Sequence, residues 1–193
     1  MNIDFIILHG SPGNGKTTLA RKLHEHFESP YFEFGWIPEY RTLAPLIKIS
    51  QRQEEQLSFE NLITVAKNYN KHGFKNIIIT DLDDIRMIDI PNVFSGYNYV
   101  IITLYGDSDE IIKHRILTRD NGNDFRDWEQ SVKTNGLIKR RKKLPNEYRI
   151  LNSRDDIDST FKEIVAILEN HIPSVSNDIS LFRREVFFSY ICE

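Results

Sequence analysis

A single cysteine, Cys192, occurs in the 193 residues, which excludes a disulfide framework. It lies two positions from where a prenylated C-a-a-X cysteine would stand, so that lipid anchor is not expected either. No apolar run approaches the ~20 residues needed to span a bilayer, and no basic n-region with an h-region and cleavage site opens the chain. The expected setting is a reducing cytoplasm without membrane contact. An excess of either charge is also missing: 25 Lys and Arg against 28 Asp and Glu give a net charge of −3, with a pI near 6.1. Without a global basic field, nucleic acid has no long-range electrostatic hold, and any such binding would have to be local. The six histidines are scattered, and none stands in metal-ligand spacing with a cysteine or another histidine. No nucleophilic Ser or Cys constellation is visible. What remains is an ordinary globular composition, 40% hydrophobic and 27% charged, with no internal repeat, low-complexity segment or long linker. A single domain with a substantial core is expected over residues 1–172.

Against that plain background one motif stands out. Gly10-Ser11-Pro12-Gly13-Asn14-Gly15-Lys16-Thr17 is a complete G-x-x-x-x-G-K-[ST] phosphate-binding loop, right after the apolar run Ile3-Asp4-Phe5-Ile6-Ile7-Leu8. Glycines let backbone N–H groups turn inward around a polyphosphate, Lys16 reaches the β- and γ-phosphates, and the Thr17 hydroxyl suits Mg²⁺. Thr18-Leu19-Ala20-Arg21-Lys22-Leu23 continues with helical spacing, which would set the anion at the positive end of a helix. Strand, loop and helix come in the order that chemistry needs.

Short apolar runs alternate with amphipathic stretches along the rest of the chain. Strands are expected near 3–8, 30–34, 75–80, 98–104 and 147–151, with helices near 16–28, 51–72, 108–119, 127–143 and 156–170. That order implies a three-layer α/β fold: a five-stranded, mostly parallel sheet with helices on both faces. Pro91 and Gly96 read as punctuation between two strands. His9 should end the first strand and pack or hydrogen-bond there. The tail 173–193 begins polar and then turns apolar, through Phe182, Phe187, Phe188 and Ile191, so it should dock on the domain or on a second subunit of a homodimer.

Ile77-Ile78-Ile79-Thr80-Asp81 is a buried-strand pattern ending in an acid and resembles the Walker B element of P-loop proteins. Asp81 would then hold Mg²⁺ opposite Thr17. Asp83 and Asp84, which follow, are solvated acids, a cap for the next segment, or water-mediated metal partners.

In order of elements over residues 1–170 the chain resembles the P-loop nucleoside, nucleotide and small-molecule kinases. The resemblance implies roles for two further segments. Pro38-Glu39-Tyr40-Arg41, after the second strand, looks like the acceptor loop of those kinases, with Glu39 as base toward the acceptor hydroxyl and Arg41 as anion clamp. Trp36 and Tyr40 could stack on a planar acceptor, whereas Glu33 sits within the strand and is a weaker base; the competing reading makes these loop aromatics part of the core. Residues 115–143 are similar to a kinase lid, a basic helix, a polar turn and a second basic helix. Arg115 and Arg119, four apart on one helical face, would meet the same anion, with Arg126 joining on closure and the run Lys139 to Lys143 forming a solvated face. The loop after Leu151, from Asn152 to Asp156, is where such kinases contact the base. The function so implied is transfer of the γ-phosphoryl of ATP·Mg²⁺ to a small metabolite, nucleoside or nucleotide. Lys16, Glu39, Arg41 and Arg119 would act in catalysis; Gly10 to Thr18 and Arg115 would hold ATP, and Thr17 and Asp81 the metal. No N-K-x-D guanine element is present. A nucleotide-gated regulatory ATPase with a protein partner and a nucleic-acid end kinase stay open as alternatives at this stage.

Overall fold

The computed structural model describes residues 3–37, 48–118, 126–152 and 156–173. Five strands, β1 (Phe5–Gly10), β2 (Tyr31–Glu33), β3 (Ile77–Thr80), β4 (Tyr99–Tyr105) and β5 (Glu147–Leu151), form one sheet in the order β2-β3-β1-β4-β5. Every pairing is parallel, with Phe5 opposite both Ile77 and Tyr99. Parallel strands covered on both sides need no polar face, which is why Phe5-Ile6-Ile7-Leu8 and Ile77-Ile78-Ile79 read as unbroken apolar runs.

Six helices cover the sheet: α1 (Lys16–Phe27), α2 (Gln51–Lys71), α3 (Asp84–Val93), α4 (Asp109–Thr118), α5 (Trp128–Arg140) and α6 (Ile157–Glu169). Alternate residues of the strands feed two separate cores. Phe5, Ile7, Ile79 and Ile101 pack with Phe59, Leu62, Met87 and Ile90 of α2 and α3. Ile6, Leu8, Ile78 and Ile102 pack with Leu19, Leu23, Ile164 and Leu168 of α1 and α6. Among the described residues no helix is long and apolar enough to cross a membrane.

Local chemistry sets the helix starts. Ser50 accepts from the Gln53 N–H at 3.3 Å while Gln53 accepts from the Ser50 N–H at 2.9 Å, a reciprocal cap that opens α2. Ser50→Ala should therefore lower the unfolding free energy by about 1 kcal/mol, read as a lower urea midpoint at unchanged slope.

Three expectations change. The second strand stops at Glu33, because Phe34–Trp36 winds into a 3-10 turn. The last helix before β5 ends at Arg140, short of residue 143. The stretch around Pro91 is helical instead of a plain connection. Asp83 caps α3 by accepting from the Arg86 N–H at 2.8 Å, and Met87, Ile90 and Phe94 then fall on one buried stripe. Proline costs that helix one hydrogen bond late in its length, and burial of the stripe offsets it.

β1 is flanked by β3 on one side and β4 on the other, so the chain's connections diverge at its carboxyl end. A crevice opens at such a switch point, and the phosphate loop lies there.

Candidate active site

Gly10 ends β1 against β4. A Cβ at this position would sit 2.4 Å from the Leu104 carbonyl oxygen, and φ is +142°, so only glycine allows the strand to close on its neighbour before the loop turns away. Within the loop, Asn14 Nδ2 donates to Ser11 Oγ at 2.7 Å, and both residues are fully buried. Gly15 takes a left-handed conformation, φ 76°, as the residue before α1, with no side-chain cap and no acid in the helix's first turn. The first α-helical bond here is Leu19 N–H to Gly15 C=O, 3.0 Å. The first N–H groups of a helix have no acceptor within it, and neither a side-chain cap nor an acid in the first turn stands at the positive end of α1. This cradle fits a polyphosphate.

Lys16 runs through the loop with only 9% of its surface exposed. Its Nζ donates to the Ser11 carbonyl at 3.5 Å and lies 3.7 Å from Asp81 Oδ1. Asp81, at the end of β3, holds φ 70°, a left-handed conformation that aspartate tolerates better than most residues. The carboxylate is about half exposed. Thr17 is half-buried, one residue into α1.

Beneath the loop lies a buried polar layer. His9 Nε2 is 2.9 Å from Asp84 Oδ1, and the ring is 2% exposed. Burial holds its pKa below the usual histidine value, opposed by Asp84 and reinforced by the cations Arg141 and Lys16. Next to His9, Thr103 donates to Glu147 Oε1 at 2.6 Å, and Arg141 grips Glu147 with two bonds of 2.7 and 2.8 Å. Asp83, besides capping α3, pairs with Arg86, whose other terminal nitrogen reaches Glu55 at 3.3 Å and ties α3 to α2.

On the far side of the loop, α4 and α5 lean together. Lys113 Nζ lies 4.3 Å above the Trp128 ring. Asn135 both donates to and accepts from the Gly106 backbone at 2.9 Å, fixing α5 to the end of β4.

No protein-family model and no curated protein matches the chain in sequence. Solved structures match it in shape. A sugar kinase from a Janibacter species aligns at a TM-score of 0.61 and 16% identity, over 86% of this chain and 95% of its own. A gluconokinase from Sinorhizobium meliloti aligns at 0.56 and 13% identity, over 97% and 96%. A shikimate kinase from Acinetobacter baumannii, solved with shikimate, aligns at 0.55 and 21% identity, over 88% and 96%. The fold is that of the P-loop kinases.

Within this P-loop kinase fold, the residues expected to meet at the phosphates divide into three groups. Gly10 to Thr18 share one loop and helix start, and Asp81 comes to Lys16 from the neighbouring strand. Arg115 reaches from α4 toward the end of β5. Its Nη1 donates to the Asn152 carbonyl at 2.8 Å, because Arg115 faces the loop that follows β5. Glu39, Tyr40, Arg41, Arg119, residues 153–155 and the tail from 174 lie outside the described residues. Arg126 is exposed at the foot of α5. Trp36 is 56% exposed and meets Tyr31 edge-on at 5.1 Å, so its ring is not consumed by the core. Glu33 accepts from the Tyr31 hydroxyl, and burial with that neighbouring charge pushes the Tyr31 pKa up.

Sequence reasoning missed Arg141, which looked like one more solvated cation in the run from Lys139 to Lys143. It also missed Asn152 as a contact of the phosphate loop. The one available signal for the first was Glu147, a lone acid at the start of an otherwise strand-like segment.

Proposed function

We propose that the chain is an ATP-dependent phosphotransferase that moves the γ-phosphoryl group of ATP·Mg²⁺ to a small metabolite, nucleoside or nucleotide. The observation that carries the reading is the phosphate loop on an uncapped helix start, with Lys16 held at the mouth of the sheet 3.7 Å from Asp81. Loop amides from Gly13 to Thr18 bind the phosphates, and Lys16 neutralises charge on the transferred group. Thr17 and Asp81 hold the metal, which when bound would neutralise charge on the phosphate oxygens. Glu39 orients or deprotonates the acceptor hydroxyl, and Arg41 binds the acceptor's anion. Arg119 closes over the group in flight and helps to exclude water. Acceptance of small molecules by the neighbouring sugar, gluconate and shikimate kinase structures supports the acceptor class and leaves its member open.

The test is thermal stability with ATP·Mg²⁺ alone and then with a non-hydrolysable ATP analogue plus sugars, sugar acids, nucleosides and nucleotides. Nucleotide at a hundredfold over its Kd should add about 2.7 kcal/mol, roughly 5–10 °C for a chain of this size. One acceptor class should add a further shift and then become phosphorylated. Stabilisation by nucleotide with no acceptor response, together with steady hydrolysis, would instead favour a regulatory ATPase. Absence of any nucleotide shift would overturn the reading.

A further inference from the structure

Asn152, the residue after β5, has every polar group committed. Its backbone N–H continues the sheet ladder to the Tyr105 carbonyl at 2.8 Å, and its carbonyl accepts from Arg115 of α4 at 2.8 Å. The side-chain Oδ1 accepts from the Thr160 hydroxyl of α6 at 3.2 Å, and Nδ2 donates to the Asn14 carbonyl at 2.9 Å. The orientation of this amide is fixed by chemistry, since the Asn14 carbonyl can only accept and must therefore face the NH₂ group. The residue is 4% exposed, and the same Nδ2 is 3.3 Å from where a Cβ of Gly15 would stand. The two ends of the bond are 138 positions apart in sequence.

We infer that Asn152 is the positioning residue of the phosphate loop: it pins the Asn14 peptide so that the loop amides keep their nucleotide-binding arrangement, and through Arg115 it joins that loop to α4. The inference rests on the nucleotide-binding reading of the site. The Asn14–Gly15 peptide is where the loop turns into α1, and Asn14 reaches back to Ser11, so freeing its carbonyl loosens both halves of the cradle at once. A buried carbonyl left without its donor is costly, and ordering the loop again must then be supplied by the ligand.

Asn152→Asp removes the donor to Asn14 but also brings a carboxylate's charge beside the phosphate loop. Its affinity loss therefore counts for the inference only together with faster loop exchange in the ligand-free protein and the same direction of change in the uncharged Thr160→Val. The aspartate variant preserves shape and the acceptor for Thr160 but places a second acceptor against the Asn14 carbonyl. ATP·Mg²⁺ should bind about tenfold more weakly to this variant, with a matching rise in KM for ATP and kcat at saturation within about twofold of wild type. Amide hydrogen exchange over residues 10–18 should be faster in the ligand-free variant. Thr160→Val, which releases the far side of the Asn152 amide together with the hydroxyl's bond to the Asp156 carbonyl, should shift both readouts the same way by less, and serves if the aspartate variant does not fold. Ser50→Ala is the control, because it lowers stability while leaving ATP affinity and loop exchange unchanged. Asn152→Asp or Thr160→Val with wild-type affinity and wild-type loop exchange would overturn the inference, as would an affinity loss that Ser50→Ala reproduces. A wild-type protein that binds no ATP defeats the nucleotide reading; the clamp itself would still be refuted by unchanged loop exchange.

Discussion

Lys16→Ala is expected to lower phosphoryl transfer by about 10²–10³-fold, the usual cost of losing one preorganised group aimed at developing charge. The effect should be larger on turnover than on stability. Lys16 is held at 9% exposure by the loop around it, so its ammonium waits in a low-dielectric position and needs no reorganisation when phosphate arrives. Its partner on the protein side, Asp81, is about half exposed, and removing the lysine returns that carboxylate to water instead of stranding it in the core. The unfolding temperature should thus stay within a few degrees of wild type. Lys16→Arg makes the complementary point: charge is kept, but a planar fork replaces a compact ammonium on a flexible stem, and only part of the lost rate should return. Single-turnover transfer to the acceptor identified by thermal shift, compared among the three proteins, decides the matter. Full-rate transfer by Lys16→Ala would sink the phosphotransferase reading.

The phosphate loop could be read from the chain because its physics is local. Eight consecutive residues carry the turn, the anion site and the helix start, and nothing distant is needed to interpret them. The sheet was legible for a related reason, since strands buried on both faces leave unbroken apolar runs. Residues 84–93 were not, because a proline outweighs a buried stripe when only the string is available, whereas in the fold Pro91 sits in the last turn and costs little. The polar contacts that shape the site are the hardest to foresee. His9 meets Asp84, Arg141 meets Glu147 through the chain's turn into β5, and Asn152 meets Asn14 across nearly the whole domain. Each of these residues has an innocent local reading as a strand end, a surface cation or a loop amide. Sequence separation hides the pairing of His9 with Asp84 and of Asn152 with Asn14, which the fold of the sheet brings together. Arg141 and Glu147, by contrast, are near in sequence and are hidden because a run of cations reads as a solvated face.

That buried layer carries the second large expected effect, on stability instead of rate. Glu147→Gln should cost about 3–5 kcal/mol, equivalent to roughly 6–20 °C in unfolding temperature for a chain of this length. Glu147 accepts from Arg141, from the Thr103 hydroxyl and from the Leu144 N–H at 2.6 Å, and Arg149 Nε stands 3.4 Å away. Neutralising it leaves the buried Arg141 guanidinium without a counter-charge. Arg149 also donates to the Arg141 carbonyl at 2.7 Å and so finishes the carboxyl end of α5, which means the damage spreads to that end of the helix. Replacing the pair together, Glu147→Leu with Arg141→Met, should recover much of the loss, because the desolvation of both ions is then removed along with their attraction. The same residues predict the response to acid. Burial alone would raise the Glu147 pKa, but the Arg141 bonds and charge outweigh it and hold the carboxyl below its ordinary 4.5. Its stabilisation is therefore complete above that value and is lost as pH falls through the lower, folded one. His9 acts earlier on the way down. Its folded pKa lies below the ordinary 6.5, so the unfolded chain takes up a proton that the native state refuses, and stability begins to decline as pH drops past that point. Urea midpoints at about pH 7.5, 5.5 and 4 should thus fall in two stages. Glu147→Gln should shrink the lower stage, to which Asp4 with its Lys75 pair also contributes, and keep the upper one; a variant whose lower stage matched the wild-type drop would show that the Arg141 pair does not set the acid limit of this fold.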